Sequence, residues 1–352
     1  MAASAGLEIL KDRISQIPQF LAETFDSVFP HPEKLRSSSG VVATGLGSSE
    51  AAARYLVRLL NEWTSIPAEF LPLNRFYQSK PAEENSRYLI VFTQGLAPNA
   101  QIALARRESY SGLTLITSST TKGQRAAGKP DRADLLEKVR EEGATIFCHP
   151  FENEFEILPR VIGPVCTMAS ALLIGSSLSE RNIPVGEILS FFEHPPLDDL
   201  TTDKLAAEIL AGVDFYFTDL TVLYAQNLSA KILETLFLRA PSCRDVFDYS
   251  HGPFQAETQN PSSRWIFSSQ SQADHTLLKE IGPLFDRINP ARAFSSPLPE
   301  PYSIFYYESL LNQITLQAAA EYGVDLVDWP GKGLDKEGYS LASPFEEKEM
   351  ES

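Results

Sequence analysis

Two blocks of short apolar strands alternating with helical segments predict an α/β protein of two domains, each a mostly parallel sheet flanked by helices. Three observations carry this expectation. The chain has 352 residues, enough for about two domains of ordinary size. With 43% hydrophobic and 22% charged residues it can fill globular cores. A strand, a Gly- or Ser-containing loop and a helix also follow one another repeatedly, and strands joined through helices pair in parallel.

The chain opens on an amphipathic pattern that places Leu7, Leu10, Ile14 and Ile17 on one face. Pro18 is expected to interrupt it, leaving Phe20 and Leu21 to a second short helix. This N-terminal helical segment, residues 1–35, ends in the turn-rich FPHPEKLRSSSG. Val41, Val42 and Ala43 then read as a strand, TGLGSSE as a loop and AAARYLVRLLNEW as a helix. The grammar repeats with a strand at residues 88–92, the loop TQGLAPN and a helix from Asn99 onward. Strands at 113–117 and 144–150 complete a first domain over residues 36–190.

After the polar passage FFEHPPLDDLTTDKL the pattern restarts, and a second domain is expected over residues 200–340. It contains the strand VDFYFTDL, the long helix TVLYAQNLSAKILETLFLRA, a strand at 263–270 and the helix in SIFYYESLLNQITLQAAAEYG. The charged tail, 341–352, has no apolar face and is expected to be disordered. The two halves read as a diverged repeat.

Charge excludes several functions. The formal net charge of -16 argues against nucleic acid and anionic membranes as partners, which need basic footprints. It does not exclude an anionic small molecule, because a few local donors outweigh a distant surface field. The three cysteines, Cys148, Cys166 and Cys243, lie far apart without a CxxC spacing, so a reducing, cytoplasmic setting is expected. The N-terminus lacks the pattern of a secretory signal. The charge-free stretch between Arg160 and Glu180 approaches a membrane span in length, but Gly163, Pro164, Gly175 and its serines suit a buried core helix better.

Two loops are candidates for ligand binding. Gly47, Ser48 and Ser49 follow the first strand and open a helix, where free N–H groups and partial positive charge favour an anion. Thr93, Gln94, Gly95 and Asn99 hold the same position in the next strand–helix unit, and adjacent strand ends form a crevice. An ordinary N-cap with turn glycines explains the first loop equally well. The pattern is neither a dinucleotide fingerprint nor a Walker loop.

Lys231 and Glu234 stand three apart on one face of the second domain's long helix, read as mostly buried. A carboxylate in a dry pocket suits proton transfer between adjacent carbons, and His251, before Gly252-Pro253, suits ring opening near neutral pH. A solvated ion pair and a turn histidine are the plainer readings. His31, His149, His194 and His275 have no metal-ligand spacing, so no metal is expected; proton transfer between adjacent carbons needs no organic cofactor, and none is expected.

In order and spacing these motifs resemble the SIS (sugar isomerase) domain family over about residues 40–340. GLGSSEAAA followed by TQGLAPN looks like its ligand loops, of which one has the form S-x-S-G-x-T and grips a sugar phosphate. Here that loop reads Thr93-Gln94-Gly95-Leu96-Ala97-Pro98, two hydroxyl donors fewer. Lys231-Ile232-Leu233-Glu234, His251-Gly252-Pro253, Asp328-Trp329-Pro330 and Gly333-Leu334-Asp335-Lys336 are similar to motifs of the isomerase part of glucosamine-6-phosphate synthase.

The resemblance implies a phosphorylated or otherwise anionic sugar held by the two loops. It gives Glu234 the role of isomerising base, His251 that of ring opener and Lys336 contact with the open-chain carbonyl, and it counts Lys231 among the catalytic residues. It implies a homodimer with shared active sites, His251 being contributed in trans. The implied reaction is aldose–ketose isomerisation, or aminosugar-phosphate isomerisation or deamination, through an enediol or enolamine. The alternative is a non-catalytic sugar-phosphate sensor. With Met-Ala at the start there is no N-terminal cysteine, so glutamine-dependent synthesis is not expected.

Overall fold

A computed structural model describes residues 5–78, 84–151, 154–218 and 221–334. The chain runs α1 (Ala5–Phe25), α2 (Pro32–Arg36), β1 (Val41–Thr44), α3 (Ser48–Trp63), β2 (Ala68–Phe70), α4 (Leu73–Gln78) and β3 (Glu84–Phe92). It continues through α5 (Pro98–Leu104), β4 (Tyr110–Thr117), α6 (Thr121–Ala126), α7 (Pro130–Glu141), β5 (Thr145–Cys148) and α8 (Ile162–Ser179). Then come α9 (Val185–Glu193), α10 (Asp199–Ala211), β6 (Val213–Phe217), α11 (Thr221–Leu236), β7 (Cys243–Asp245) and α12 (Pro253–Glu257). The last elements are β8 (Ser263–Ser269), α13 (Gln272–Phe285), β9 (Arg292–Ser296) and α14 (Ser303–Tyr322).

These elements form two compact units. Of the described residues, the N-terminal unit comprises 19–78, 84–151, 154–155, 162–183 and 331–334, and the C-terminal unit 5–18, 156–161, 184–218 and 221–330. The first holds a five-stranded parallel sheet in the order β2-β1-β3-β4-β5. The second holds a four-stranded parallel sheet, β7-β6-β8-β9. Counted within each unit, both sheets begin second-first-third-fourth, so the repeat that residue identity leaves faint is explicit in the topology.

In the N-terminal unit Val41, Val42 and Ala43 are completely buried, as a central strand covered on both faces requires. α3 turns Ala52, Ala53, Leu56, Leu59 and Leu60 inward and packs on α8. Gly175 allows the close approach: a Cβ there would lie 3.2 Å from Leu59 Cβ. Among the described residues α8 is the one helix long and apolar enough to cross a membrane, and 72% of it is buried inside the protein. The C-terminal unit is built on aromatic packing, with Tyr249 and Phe285 stacked at 4.0 Å and Tyr216 edge-on to both.

Three expectations need correction. Pro18 does not end the first helix; α1 runs through it, because Leu10, Ile17 and Leu21 are buried on one side and their packing outweighs a missing hydrogen bond. The helix carrying Lys231 stops at Leu236, where Phe237 takes a left-handed φ of 54°, instead of reaching Ala240. Strands β2, β7 and β9 are additional to those expected. All three are edge strands, partly exposed, and need no continuous apolar run.

Candidate functional site

In the N-terminal unit the strand order reverses between β1 and β3, the position at which parallel sheets open a crevice. The loop after β1 meets the need for a tight entry into α3 with Gly47 at φ 62°, outside the range most side chains tolerate. Gly47 is exposed, Ser48 half-buried and Ser49 buried, so the structure gathers these three at the start of a 16-residue helix. Thr44, at the end of β1, is completely buried, and its hydroxyl has no hydrogen-bond partner among the described residues.

The loop after β3 is different. Thr93 and Gln94 are each 6% exposed, and the Thr93 N–H extends the sheet by donating to Ile116 O at 2.9 Å. The Gln94 carboxamide points inward and donates to Glu154 at 2.9 Å. Its backbone carbonyl faces the hydroxyls of Thr117, Ser118 and Ser119 at 3.0, 2.9 and 3.1 Å. Asn99 lies half-buried in the first turn of α5. Sequence reading overlooked this hydroxyl cluster, although the run T-S-S-T-T at the end of a third strand is a usable signal. Ser119 and Thr120 line a cavity of about 310 Å³ with Gln124, Lys129 and Phe155. The Gln124 Oε1 is buried and has no hydrogen-bond partner among the described residues.

In the C-terminal unit Lys231 is committed to α14 and not to Glu234, against the plainer reading of a solvated Lys–Glu pair. Lys231 is 5% exposed and donates to Glu308, and to Asn312 Oδ1 at 2.7 Å, both on α14. Asn227 reaches the second Glu308 oxygen at 3.5 Å. Glu234, one turn away, is exposed, as is Leu233, so α11 is less buried than expected. Protein mass still crowds the Glu234 carboxyl. Desolvation raises its pKa above the ordinary carboxylate value, against the opposing pull of Arg160 and Lys231. Surface area decides access here and crowding decides the pKa, so this carboxyl is both reachable and more basic than usual.

His251 is exposed in the turn between Ser250 and α12, with Gly252 at φ 124° and Pro253 opening the helix. Lys336 lies outside the described residues. Glu308 was missed in the sequence, though its signal is present: a charge and an amide four apart, at 308 and 312, within an otherwise apolar helix.

His149 carries a separate prediction. It is 2% exposed, with Nε2 at 3.3 Å from Thr167 Oγ1 and, among the described residues, no partner for Nδ1. Burial lowers its pKa to about 4. Between that value and the ordinary histidine value near 6.5 the unfolded chain binds a proton that the folded chain refuses. Stability therefore falls as pH drops through this window, by about 3 kcal/mol for this group alone. Urea midpoints at pH 7 and pH 4.5 should converge in His149→Gln relative to wild type. An unchanged pH dependence would refute the assignment.

The chain matches no protein-family model and no curated protein in sequence. In three dimensions it is similar to the C-terminal domain of glucosamine-fructose-6-phosphate aminotransferase from Francisella tularensis, with a TM-score of 0.72 at 12% identity, covering 91% of this chain and 98% of that one. It is similar to tagatose-6-phosphate ketose/aldose isomerase from Escherichia coli, with a TM-score of 0.70 at 12% identity over 90% and 94%. Glucosamine-6-phosphate deaminase from Thermotoga maritima gives 0.62 at 13% identity over 91% and 97%. The α/β fold with two parallel-sheet domains is thus the fold of these proteins.

Proposed function

We propose that this chain, which has the fold of sugar isomerase-domain proteins, is an enzyme that isomerises or deaminates a phosphorylated or otherwise anionic sugar. The observation that carries the reading is Glu234: an accessible carboxyl whose pKa desolvation raises, the property required of a base that moves a proton between adjacent carbons. Glu234 would take the proton from C2 of an open-chain aldose and return it to C1, through an enediol or an enolamine. Its conjugate acid, made more favourable by crowding, holds the proton between the two steps. His251 is exposed and free to serve ring opening. Lys231 is engaged with Glu308 and supports α11. We further propose a homodimer in the cytoplasm, and assign Lys336 to the carbonyl.

The test is deuterium exchange from solvent into sugars the protein binds, followed by NMR across hexose, pentose and aminosugar phosphates. Exchange at C1 or C2 of one of them is expected. Binding without exchange of any would replace the enzyme by a sugar sensor, a reading that the loss of two hydroxyl donors between Thr93 and Pro98 favours. The loop after β1 has its own check. Ser49→Ala should weaken sugar binding by about 1–3 kcal/mol in calorimetry, the worth of a bond to a charged group. Unaltered affinity would remove that loop from the site. Light scattering that finds only monomer under active conditions would exclude the dimer.

A further inference from the structure

The segment that carries His251 lies on the surface of the C-terminal unit and is fastened at two points. From Phe247 to Asn260 the buried residues are Tyr249 and Glu257, two places before His251 and six after it. Between them nothing goes deeper than the half-buried Pro253 and Phe254. The bonds within the turn are local: the His251 N–H donates to Asp248 O at 2.9 Å, and the Ala256 N–H to Gly252 O at 3.0 Å. Bonds of this kind shape a turn but do not tie it to the sheet.

Both fastening points meet one side chain. Arg264 stands on β8, a central strand between β6 and β9, and its side chain is completely buried. Its Nη1 pairs with Glu257 Oε2 at 2.6 Å and also donates to the Tyr249 hydroxyl. Tyr249 closes the triangle by donating to Glu257 Oε2 at 2.9 Å. Burial pushes the tyrosine pKa up to about 12, so the hydroxyl keeps the proton it donates. Arg264 Nη2 holds Asn289 O, which fixes the direction of the fork. The Tyr249 ring meets Phe254 of α12 edge-on at 5.8 Å, and with its stack on Phe285 this leaves it one place to lie.

Stability alone does not account for these charges. Arg264 Nε and Glu257 Oε1 are buried and have no hydrogen-bond partner among the described residues. A buried ion pair with polar atoms left unmet adds little over apolar groups of the same volume. Its distinct contribution is direction, because a planar guanidinium binds two partners at set angles. We propose that Arg264 is a positioning residue for His251, holding the exposed turn on both sides through Tyr249 and Glu257. This rests on the reading of His251 as the ring opener and deepens it. An imidazole that must meet a sugar cannot be ordered by its own burial, so its order comes from the buried residues that flank it.

The test uses the full chain and compares wild type with Arg264→Lys, which keeps the charge but lacks the fork. Amide ¹⁵N relaxation at Ser250, His251 and Gly252 should give order parameters near about 0.85 in wild type and below about 0.6 in the variant, under conditions where urea curves show both folded. Solvent deuterium exchange into the sugar should fall by about 10–10²-fold, the cost of a misplaced group. In a His251→Asn background the same substitution should cost nothing further, because a residue acting through His251 has nothing left to act on. A role confined to stability would leave the order of the turn unchanged and would be felt equally in both backgrounds. If Arg264→Lys does not fold, Tyr249→Phe removes the shared hydroxyl, keeps the ion pair and the ring stack, and carries the same expectations. Unaltered order at the turn of a folded variant would overturn the proposal, and so would a loss of exchange that persists without His251. Absence of exchange in wild type would end the isomerase reading, while the order parameters would still decide whether Arg264 holds the turn.

Discussion

Glu234→Gln is expected to lower solvent deuterium exchange into the sugar by about 10²–10⁴-fold, the usual worth of a positioned general base. The carboxamide keeps the shape of the side chain and its ability to hydrogen-bond, but it cannot accept a proton at useful pH. Because Glu234 is exposed, the variant should fold, with stability changed by no more than about 0.5 kcal/mol. Sugar affinity should largely survive. The pH dependence gives an independent reading. The base is active when deprotonated, and desolvation raises its pKa, so the acid limb of wild-type exchange should lie above the ordinary carboxylate range. The limb should be absent from residual exchange in the variant. Exchange in Glu234→Gln equal to that of wild type would place the base elsewhere.

How much of this could be read from the chain follows from where physical constraints leave a mark. Central strands such as Val41-Val42-Ala43 are buried on both faces, so their apolar runs announce them. Edge strands such as Cys243-Arg244-Asp245 have no such obligation, and their pairing depends on neighbours remote in sequence. The loop after β1 was legible because a glycine and two serines at a helix start have a local reason to be there. The loop after β3 had the right position but not the expected surroundings. Gln94 meets Glu154 sixty residues away, and Phe155 covers Gly95 from a segment that contains no motif. Likewise the spacing of Lys231 and Glu234 leaves them neighbours on a helix. Only the position of Glu308 on α14 decides that the lysine turns inward.

Lys231→Met should cost about 3–5 kcal/mol of stability, the penalty for leaving one partner of a buried ion pair alone. Lys231 and Glu308 are 5% and 1% exposed, so water cannot replace the lost ammonium, and Asn312 and Asn227 cannot supply its charge. Replacing both charges, as Lys231→Met with Glu308→Gln, removes the unpaired carboxylate and leaves neutral amides to bond one another. The double variant should therefore recover most of the loss, because a buried pair contributes little over neutral groups of similar volume. Denaturant midpoints measure both effects. A Lys231→Met variant within about 1 kcal/mol of wild type would show that the pair does not stabilise the fold. The same two proteins decide what Lys231 does for catalysis. If it acts by holding α11, and with it Glu234, deuterium exchange should return together with stability in the double variant. If its ammonium touches the sugar, stability should return while exchange stays low. The hydrogen bonds to Glu308 and Asn312 predict the first outcome, since they already engage the ammonium within the protein.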